Sequence, residues 1–407
     1  MKAPPHWQVA TVAEICEMRN GHGFGPEDWT TEGLPIIRIQ NLNGGKNFDY
    51  FAGEADPRWL VKPGQLLFAW AGTKGVSFGP TVWRGPLGVL NQHIFQVDPK
   101  PGIDVDWLHW ALRHVTDRIE ANAHGFKATL VHVKKSDIDR QPVRVPPIAE
   151  QRCIARVLAT WDKAIAAAQR LVANSHLQKQ ALLEALTSGQ CRFKGETRGW
   201  TRTALKEVAT VVVSSVNKKH ETGERRIRLC NYTDVYYNDR ITAQLTFMDA
   251  TASAAEIAKC ELRAGDVIIT KDSETADDIA VAAYVQDKIP GLVCGYHLAI
   301  VRPDLLRVDP VFLHAYFKLA TTRSYFASNA NGVTRFGLPI GAIQNAPICL
   351  PDIPEQRRIA AVLSTSTDSI LRVGKEVDAL KSQRTALMAQ LLSGKRCVRM
   401  PAAELAP

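Results

Sequence analysis

The sequence predicts an α+β chain in which two globular α/β domains alternate with two long coiled-coil helices, the second half being an internal repeat of the first. Three observations carry that expectation. The phrase "PPIAEQRCIARVL" at 146–158 returns as "PDIPEQRRIAAVL" at 351–363, an offset of 205 residues. Each copy opens a stretch whose apolar residues recur alternately every four and three positions, the spacing of a helix-pairing seam. The length of 407 residues exceeds one ordinary core, whereas two copies of roughly 200 suit the usual domain size.

In chain order, the first globular domain is expected at 1–145, the first long helix at 146–192, the second globular domain at 193–349 and the second long helix at 350–397, with 398–407 as a loose tail. "WQVATVAEI" from Trp7 resembles "WTRTALKEV" from Trp200, so each half should open with a short helix. Turn-bounded apolar strands follow. "PIIRIQNL" (35–42) matches "RIRLCNY" (226–232), "KPGQLLFAWAG" (62–72) matches "RAGDVIITKDS" (263–273), and "LNQHIFQVDP" (90–99) matches "CGYHLAIVRP" (294–303). A helix begun by Asp106, or by Asp309 and Pro310, then leads through a glycine-containing loop to a last strand.

The long helices are the most regular part. The first seam runs through Ile154, Leu158, Trp161, Ile165, Ala168, Val172, Ser175, Lys179, Leu182 and Leu186. The second repeats it 205 residues later as Ile359, Leu363, Ser366, Ile370, Val373, Val377, Leu380, Arg384, Leu387 and Leu391. Both helices start behind proline with a glutamate in the first turn, Glu150 or Glu355, where the helix dipole favours negative charge. Both end in Ser-Gly, which offers Gly189 and Gly394 as left-handed caps. A helix of about 40 residues, roughly 60 Å long, with so narrow a stripe needs a partner, and its own copy is the nearest. Lys179 and Arg384 interrupt the seams at matched places, either to fix register or to snorkel outward.

Composition narrows the function classes. A chain 45% hydrophobic and 22% charged folds rather than staying disordered. No apolar run reaches the roughly 18 residues of a membrane helix, and "MKAPPHWQVA" has no signal-peptide core, so a cytoplasmic protein is expected. Eight cysteines form no CxxC pair, which argues against zinc and against a disulfide framework. Net charge +9 suits a polyanion partner. Phosphate-loop, nucleophile-elbow and HExxH motifs are missing. "GHGFG" (21–25) reads as a turn, because no long helix follows it. "GTKG" (72–75) fits either a backbone-clamping loop with Lys74 at its tip or a plain turn. The acidic stretch "TKDSETADD" (270–278) reads as a solvated loop, and His93 and His297 as structural histidines at matched strand starts. No catalytic, cofactor or metal residues are assigned.

"LPIIRIQNLNGG", "VKPGQLLFAWAGTKG", "VLNQHIF", "GFKATLVHVKKSDI" and above all the doubled proline-to-EQR helix start resemble the DNA specificity subunit of type I restriction-modification systems. The resemblance spans nearly the whole chain. It implies two target-recognition domains separated by an antiparallel coiled coil, a bipartite DNA site with one half read by each domain, and a non-catalytic chain. It also implies partners: double-stranded DNA, two methylation subunits carrying S-adenosylmethionine, and two motor-nuclease subunits using ATP and Mg.

Guanine is read by Arg or Lys, adenine by Asn or Gln, and phosphates by cations and hydroxyls. On that basis the DNA-contact candidates are Arg38, Gln40, Asn41, Lys74, Asn91, Gln92 and Lys127 in the first domain, and Arg228, Asn231, Tyr232, Lys271 and Arg335 in the second. The halves diverge where "GTKG" meets Asp272, Glu274, Asp277 and Asp278, which predicts an asymmetric target. Val157, Leu171, Leu183, Val362 and Leu371, apolar but off the seam, either dock partner subunits or widen the seam. Two other readings compete: a coiled-coil adaptor that binds proteins, which would lack salt-dependent DNA affinity, and an RNA-binding or nuclease-like enzyme, which would cleave with metal on its own.

Overall fold

The computed structural model describes residues 4–122 and 130–399. Lys127 lies outside the described residues. The chain divides into two compact units, Met1–Gln169 with Lys375–Pro407, and Arg170–Gly374. The long helices, Ile148–Thr187 and Ile353–Leu392, each contribute one half to each unit.

In the first unit a four-stranded antiparallel sheet runs in the order Cys16–Asn20, Ile94–Pro99, Leu66–Ala69, Gly79–Val82. Beside it Tyr50–Phe51, Leu34–Ile37, Gly88–Leu90 and Leu60–Val61 form a second sheet, with Leu34–Ile37 and Gly88–Leu90 parallel. Helix Val105–Asn122 packs on the edge strand Gly79–Val82 and buries Trp107, Leu108 and Leu112. The second unit repeats the plan: Ala209–Val213, Leu298–Pro303, Val267–Thr270 and Ala282–Val285 in order, extended by Arg240–Ile241. Its second sheet orders Met248–Ala252, Arg225–Cys230 and Leu292–Cys294.

Each half opens on a strand, with the short helix after it. Gln8–Thr11 pairs with Pro142–Val145, and Thr201–Ala204 with Pro347–Leu350. Four residues are too few to nucleate a helix unaided, whereas the strand just ahead of each long helix offers a ready edge. The helical turns that follow are single: Val12–Ile15 and Leu205–Glu207.

The repeated EQR is a buried joint. Gln151 donates to the carbonyls of Pro146 (2.9 Å) and Gly102 (3.2 Å) and accepts from the Asp104 N–H at 2.8 Å. Gln356 donates to Pro351 (2.9 Å) and Arg307 (3.0 Å) and accepts from the Asp309 N–H at 2.9 Å. Each glutamine thus ties the long helix to the loop that starts the preceding domain helix. The glutamates differ. Glu150 accepts from the Trp7 indole at 3.0 Å, whereas Glu355 accepts from Arg192 Nε and Nη2 at 3.0 and 2.7 Å, leaving the Trp200 indole N–H buried without a partner.

Within each unit the long helices run antiparallel, the start of one against the end of the other. In the first, Ile154 and Leu158 share a core with Met388 and Leu391, and Arg384 donates to Asp162 at 2.7 Å. In the second, Leu183 and Leu186 share a core with Ile359 and Leu363. Ile165, Ile370 and Val377 are buried, and Val172 is half-buried. The expected seam fails at one matched pair. Leu182 is exposed and Leu387 only half-buried, while Leu183 and Met388 are buried in their places. A straight helix has 3.6 residues per turn, so a strict 3.5-residue stripe drifts off its face after a few turns. Of the off-seam residues, Leu183 joins the core and Val362 packs against it, whereas Val157, Leu171 and Leu371 are exposed.

The cations in the seams do not snorkel freely. Lys179 bonds Asp239 at 3.2 Å in the second unit; Arg384 bonds Asp162 and lies 5.7 Å from the Trp110 ring centre in the first. The helix ends match expectation: Gly189 and Gly394 have φ of +79° and +70°, and Cys191 and Arg396 N–H groups close the last turns on Ala185 and Gln390.

Candidate nucleic-acid interface

The parallel pairs fix how the two domains correspond. Ile37 pairs with Leu90, and Cys230 with Cys294, so Arg38 occupies the place of Asn231 and Asn41 that of Asp234. The local caps agree: Asn41 Oδ1 accepts from the Arg38 N–H at 2.9 Å, as Asp234 accepts from the Asn231 N–H at 2.7 Å. The sequence match of "NL" to "NY" was therefore three residues out of register.

In the first domain several candidates gather where Leu34–Ile37 and Gly88–Leu90 end. Arg38 bonds Asp49 and stacks 4.5 Å from the Trp29 ring centre, leaving Nη2 buried without a partner. Gln40 and Gln92 are exposed. Three others are spent internally. Asn41 is buried, and its amide donates to Gly45 and Asn47. Asn91 is buried, with Oδ1 3.3 Å from His93 Nδ1. Lys74 Nζ donates to the Glu120 carbonyl at 2.8 Å and the Gly75 N–H to the Glu120 carboxylate at 2.9 Å, so "GTKG" caps the end of a helix. Sequence reading passed over Trp70, whose indole N–H donates to the Gln92 carbonyl at 3.1 Å and whose ring meets His93 and His132 at 5.2 and 4.8 Å. Its place one residue past a buried strand was the available signal.

In the second domain the same sheet end is charged. Lys271 stands in the place of Trp70 and pairs with Asp272 at 3.0 Å; Asp272 also holds His297 Nδ1 at 2.7 Å, and Tyr296 lies against the His297 ring at 3.7 Å. Arg335 is exposed at the turn of the Asn331–Gly332 and Phe336–Gly337 hairpin, which pairs with Asp272–Ser273. Asn231 caps Tyr232–Tyr236, its Oδ1 buried without a partner. Tyr232 stacks on Tyr236 at 5.4 Å, and burial with Asp278 nearby pushes its phenol up to about 12. Arg228 does not join them: it lies two residues before the strand end and donates to the Pro290 carbonyl, at the opposite end of the neighbouring strand. The acidic stretch is likewise committed, Asp278 accepting from Tyr236 at 2.7 Å. Among the described residues the one close carboxylate cluster, Glu196, Asp352 and Glu355, is matched by Arg358, Arg198 and Arg192.

Residues 4–173 match the family model described as type I restriction modification DNA specificity domain. The chain is 20% identical over 386 residues to the EcoBI specificity subunit of Escherichia coli, covering 87% of this chain and 77% of that one. It is 19% identical to the MjaVIII specificity subunit of Methanocaldococcus jannaschii, covering 97% and 94%. Over residues 4–173 the chain is thus similar to the type I restriction-modification DNA specificity domain, and over most of its length to the specificity subunits. A chain from a study of complex assembly and conformational transition of a type I system shares its fold, with a TM-score of 0.64, 16% identity and coverage of 97% and 100%. The S subunit of M. genitalium does so at 0.52 and 15%, covering 96% and 99%. Those relatives are named as specificity subunits of type I restriction enzymes. No helix among the described residues is long and apolar enough to cross a membrane.

Proposed function

We propose that this chain is a non-catalytic specificity subunit that reads an asymmetric bipartite DNA target in the cytoplasm, one half-site per globular domain, with domain limits near 1–145 and 193–349. The paired helices act as a ruler for the unread spacer and help to seat two methylation subunits, which supply S-adenosylmethionine, and two motor-nuclease subunits, which supply ATP and Mg chemistry. The observation that carries this reading is the contrast at one sheet end: Trp70, Gln92 and His93 in the first domain stand where Lys271, Tyr296 and His297 stand in the second. Two equivalent surfaces of different chemistry suit two different half-sites.

The base- and phosphate-contacting set is then Arg38, Gln40, Gln92 and Trp70 in one domain, and Asn231, Tyr232, Lys271, His297 and Arg335 in the other. Modified-base sequencing of cells expressing the chain with a methylation subunit tests it. Methyladenine in a split, asymmetric motif is expected, and Lys271→Ala should relax one half of that motif only, by about 1–3 kcal/mol of discrimination at the base concerned. A symmetric motif, or relaxation of both halves, would count against the assignment.

A further inference from the structure

The two domains differ at one edge of the central sheet. In the second, Arg240–Ile241 lies parallel to Ala282–Val285, the Tyr284 N–H donating to the Asp239 carbonyl at 3.1 Å and the Gln286 N–H to the Ile241 carbonyl at 3.0 Å. Asp239 accepts from Lys179 and Lys318, and Arg240 bonds Asp368 at 2.6 Å. In the first domain the equivalent strand, Gly79–Val82, is the last of its sheet. Leu66 pairs with Val82 as Val267 does with Tyr284, which makes Val82 and Arg84 the counterparts of Tyr284 and Gln286. The Trp83 N–H turns inward to Gln65 at 2.9 Å, so alternation along the ladder turns the Val82 and Arg84 N–H groups outward.

Along that edge runs a groove of two cavities, about 880 and 600 Å³, which share Val82, Arg84 and His109. The matching space in the second domain is about 30 Å³. His314 there is bonded to the Ala282 carbonyl at 3.1 Å, whereas Nδ1 of its counterpart His109 is buried without a partner. The larger cavity is lined by Arg84, Arg152, Arg156, Lys163, Lys381 and Arg384 against three aspartates. Charge at one matched place is inverted: Lys163 stands where the second helix has Asp368, the partner of Arg240.

We propose that the groove docks an extended acidic segment of a partner protein, which adds as a parallel strand to Gly79–Val82 as Arg240–Ile241 does within the second domain. An open strand edge is a template for such addition, main-chain bonds giving affinity and side-chain charge giving choice. Where the internal strand carries Arg240 facing Asp368, the incoming strand carries a carboxylate facing Lys163. None of the residues assigned to DNA lines this groove, so its failure would leave the DNA reading untouched.

The probe is a synthetic peptide copying residues 236–246 of this chain with Arg240→Glu, added to the full-length protein and followed by amide hydrogen exchange. Slower exchange at Val82 and Arg84 is expected, with binding about tenfold tighter than for the unaltered peptide. Val82→Pro, which removes only an outward N–H, should abolish the protection, and Lys163→Glu should reverse the preference between the peptides. Absence of protection at millimolar peptide, protection that survives Val82→Pro, or equal affinity for both peptides in both proteins would each overturn the proposal.

Discussion

Two copies of one architecture meet their surroundings differently. At the sheet end after the third strand of each core, the first domain presents an indole between two imidazoles, Trp70 with His93 and His132; the second presents Lys271, Asp272 and His297. Away from those ends, the joints that hold domain to helix are nearly superimposable in their bonds, Gln151 repeating as Gln356. Conformity falls where the fold is held together, and divergence where the surface is free to change. Duplication therefore kept the mechanics and released the chemistry, and the comparison can be strained at several points.

The largest effect is expected in the shared cores. Leu183→Ala in the second unit and Met388→Ala in the first remove buried side chains at equivalent positions, 3% and 2% exposed, and each should cost about 3 kcal/mol. Urea denaturation should show both midpoints falling together. A loss confined to one variant would mean that the two helix ends are not mechanically equivalent.

Next come the glutamine joints. Gln151→Ala or Gln356→Ala deletes three hydrogen bonds and strands a main-chain N–H and two carbonyls, at a cost of about 2–3 kcal/mol. The two should agree within about 0.5 kcal/mol. Unequal losses would show that the neighbouring glutamates, one held by Trp7 and the other by Arg192, carry part of the joint.

Acid should separate the halves. Burial pushes the His109 imidazole down to about 4, against the pull of Asp162; burial and then Lys318 push His314 down to about 3. Both folded values lie below the unfolded value of about 6.5, so the unfolded chain takes up the proton first and stability falls as pH drops from there. The first domain stops losing near pH 4 and the second continues to about 3, so acid costs the second domain more. Asp239, held ionised against burial by Lys318 and Lys179, loses its share below its usual carboxylate range and deepens the fall. His314→Gln should flatten the acid limb of a stability-against-pH curve more than His109→Gln does; equal flattening would erase the distinction.

Much of the scaffold was legible because it is periodic or punctuated. Pro, Glu and Ser-Gly bound the long helices, and Gly189 and Gly394 take the left-handed turn expected of them. The opening strands were missed because pairing with a partner some 130 to 150 residues away, Gln8 with Val145 or Thr201 with Leu350, leaves no trace in a nine-residue window. Candidate readers were legible by type and poorly by direction. Asn41 and Arg38 sit three residues apart on one helical turn and its cap, yet one amide is spent inside while the other side chain lies on Trp29. Hydrogen-bond partners distant in sequence decide such questions, as Glu120 does for Lys74.

The smallest effect tests the drift of the seam. A strict heptad places Leu182 in the pairing face; the helix leaves it 39% exposed and buries Leu183 instead. Leu182→Ser should then change stability by no more than about 0.5 kcal/mol, the range of ordinary surface positions, although it alters a residue that periodicity alone ranks with Leu186. Leu387 in the second helix is half-buried against the first core, so Leu387→Ser should cost somewhat more. Paired urea titrations resolve the two. A large loss at Leu182 would mean that the helix overwinds toward a true 3.5-residue repeat at that point, and that the matched shift to Leu183 and Met388 does not follow from straight-helix geometry.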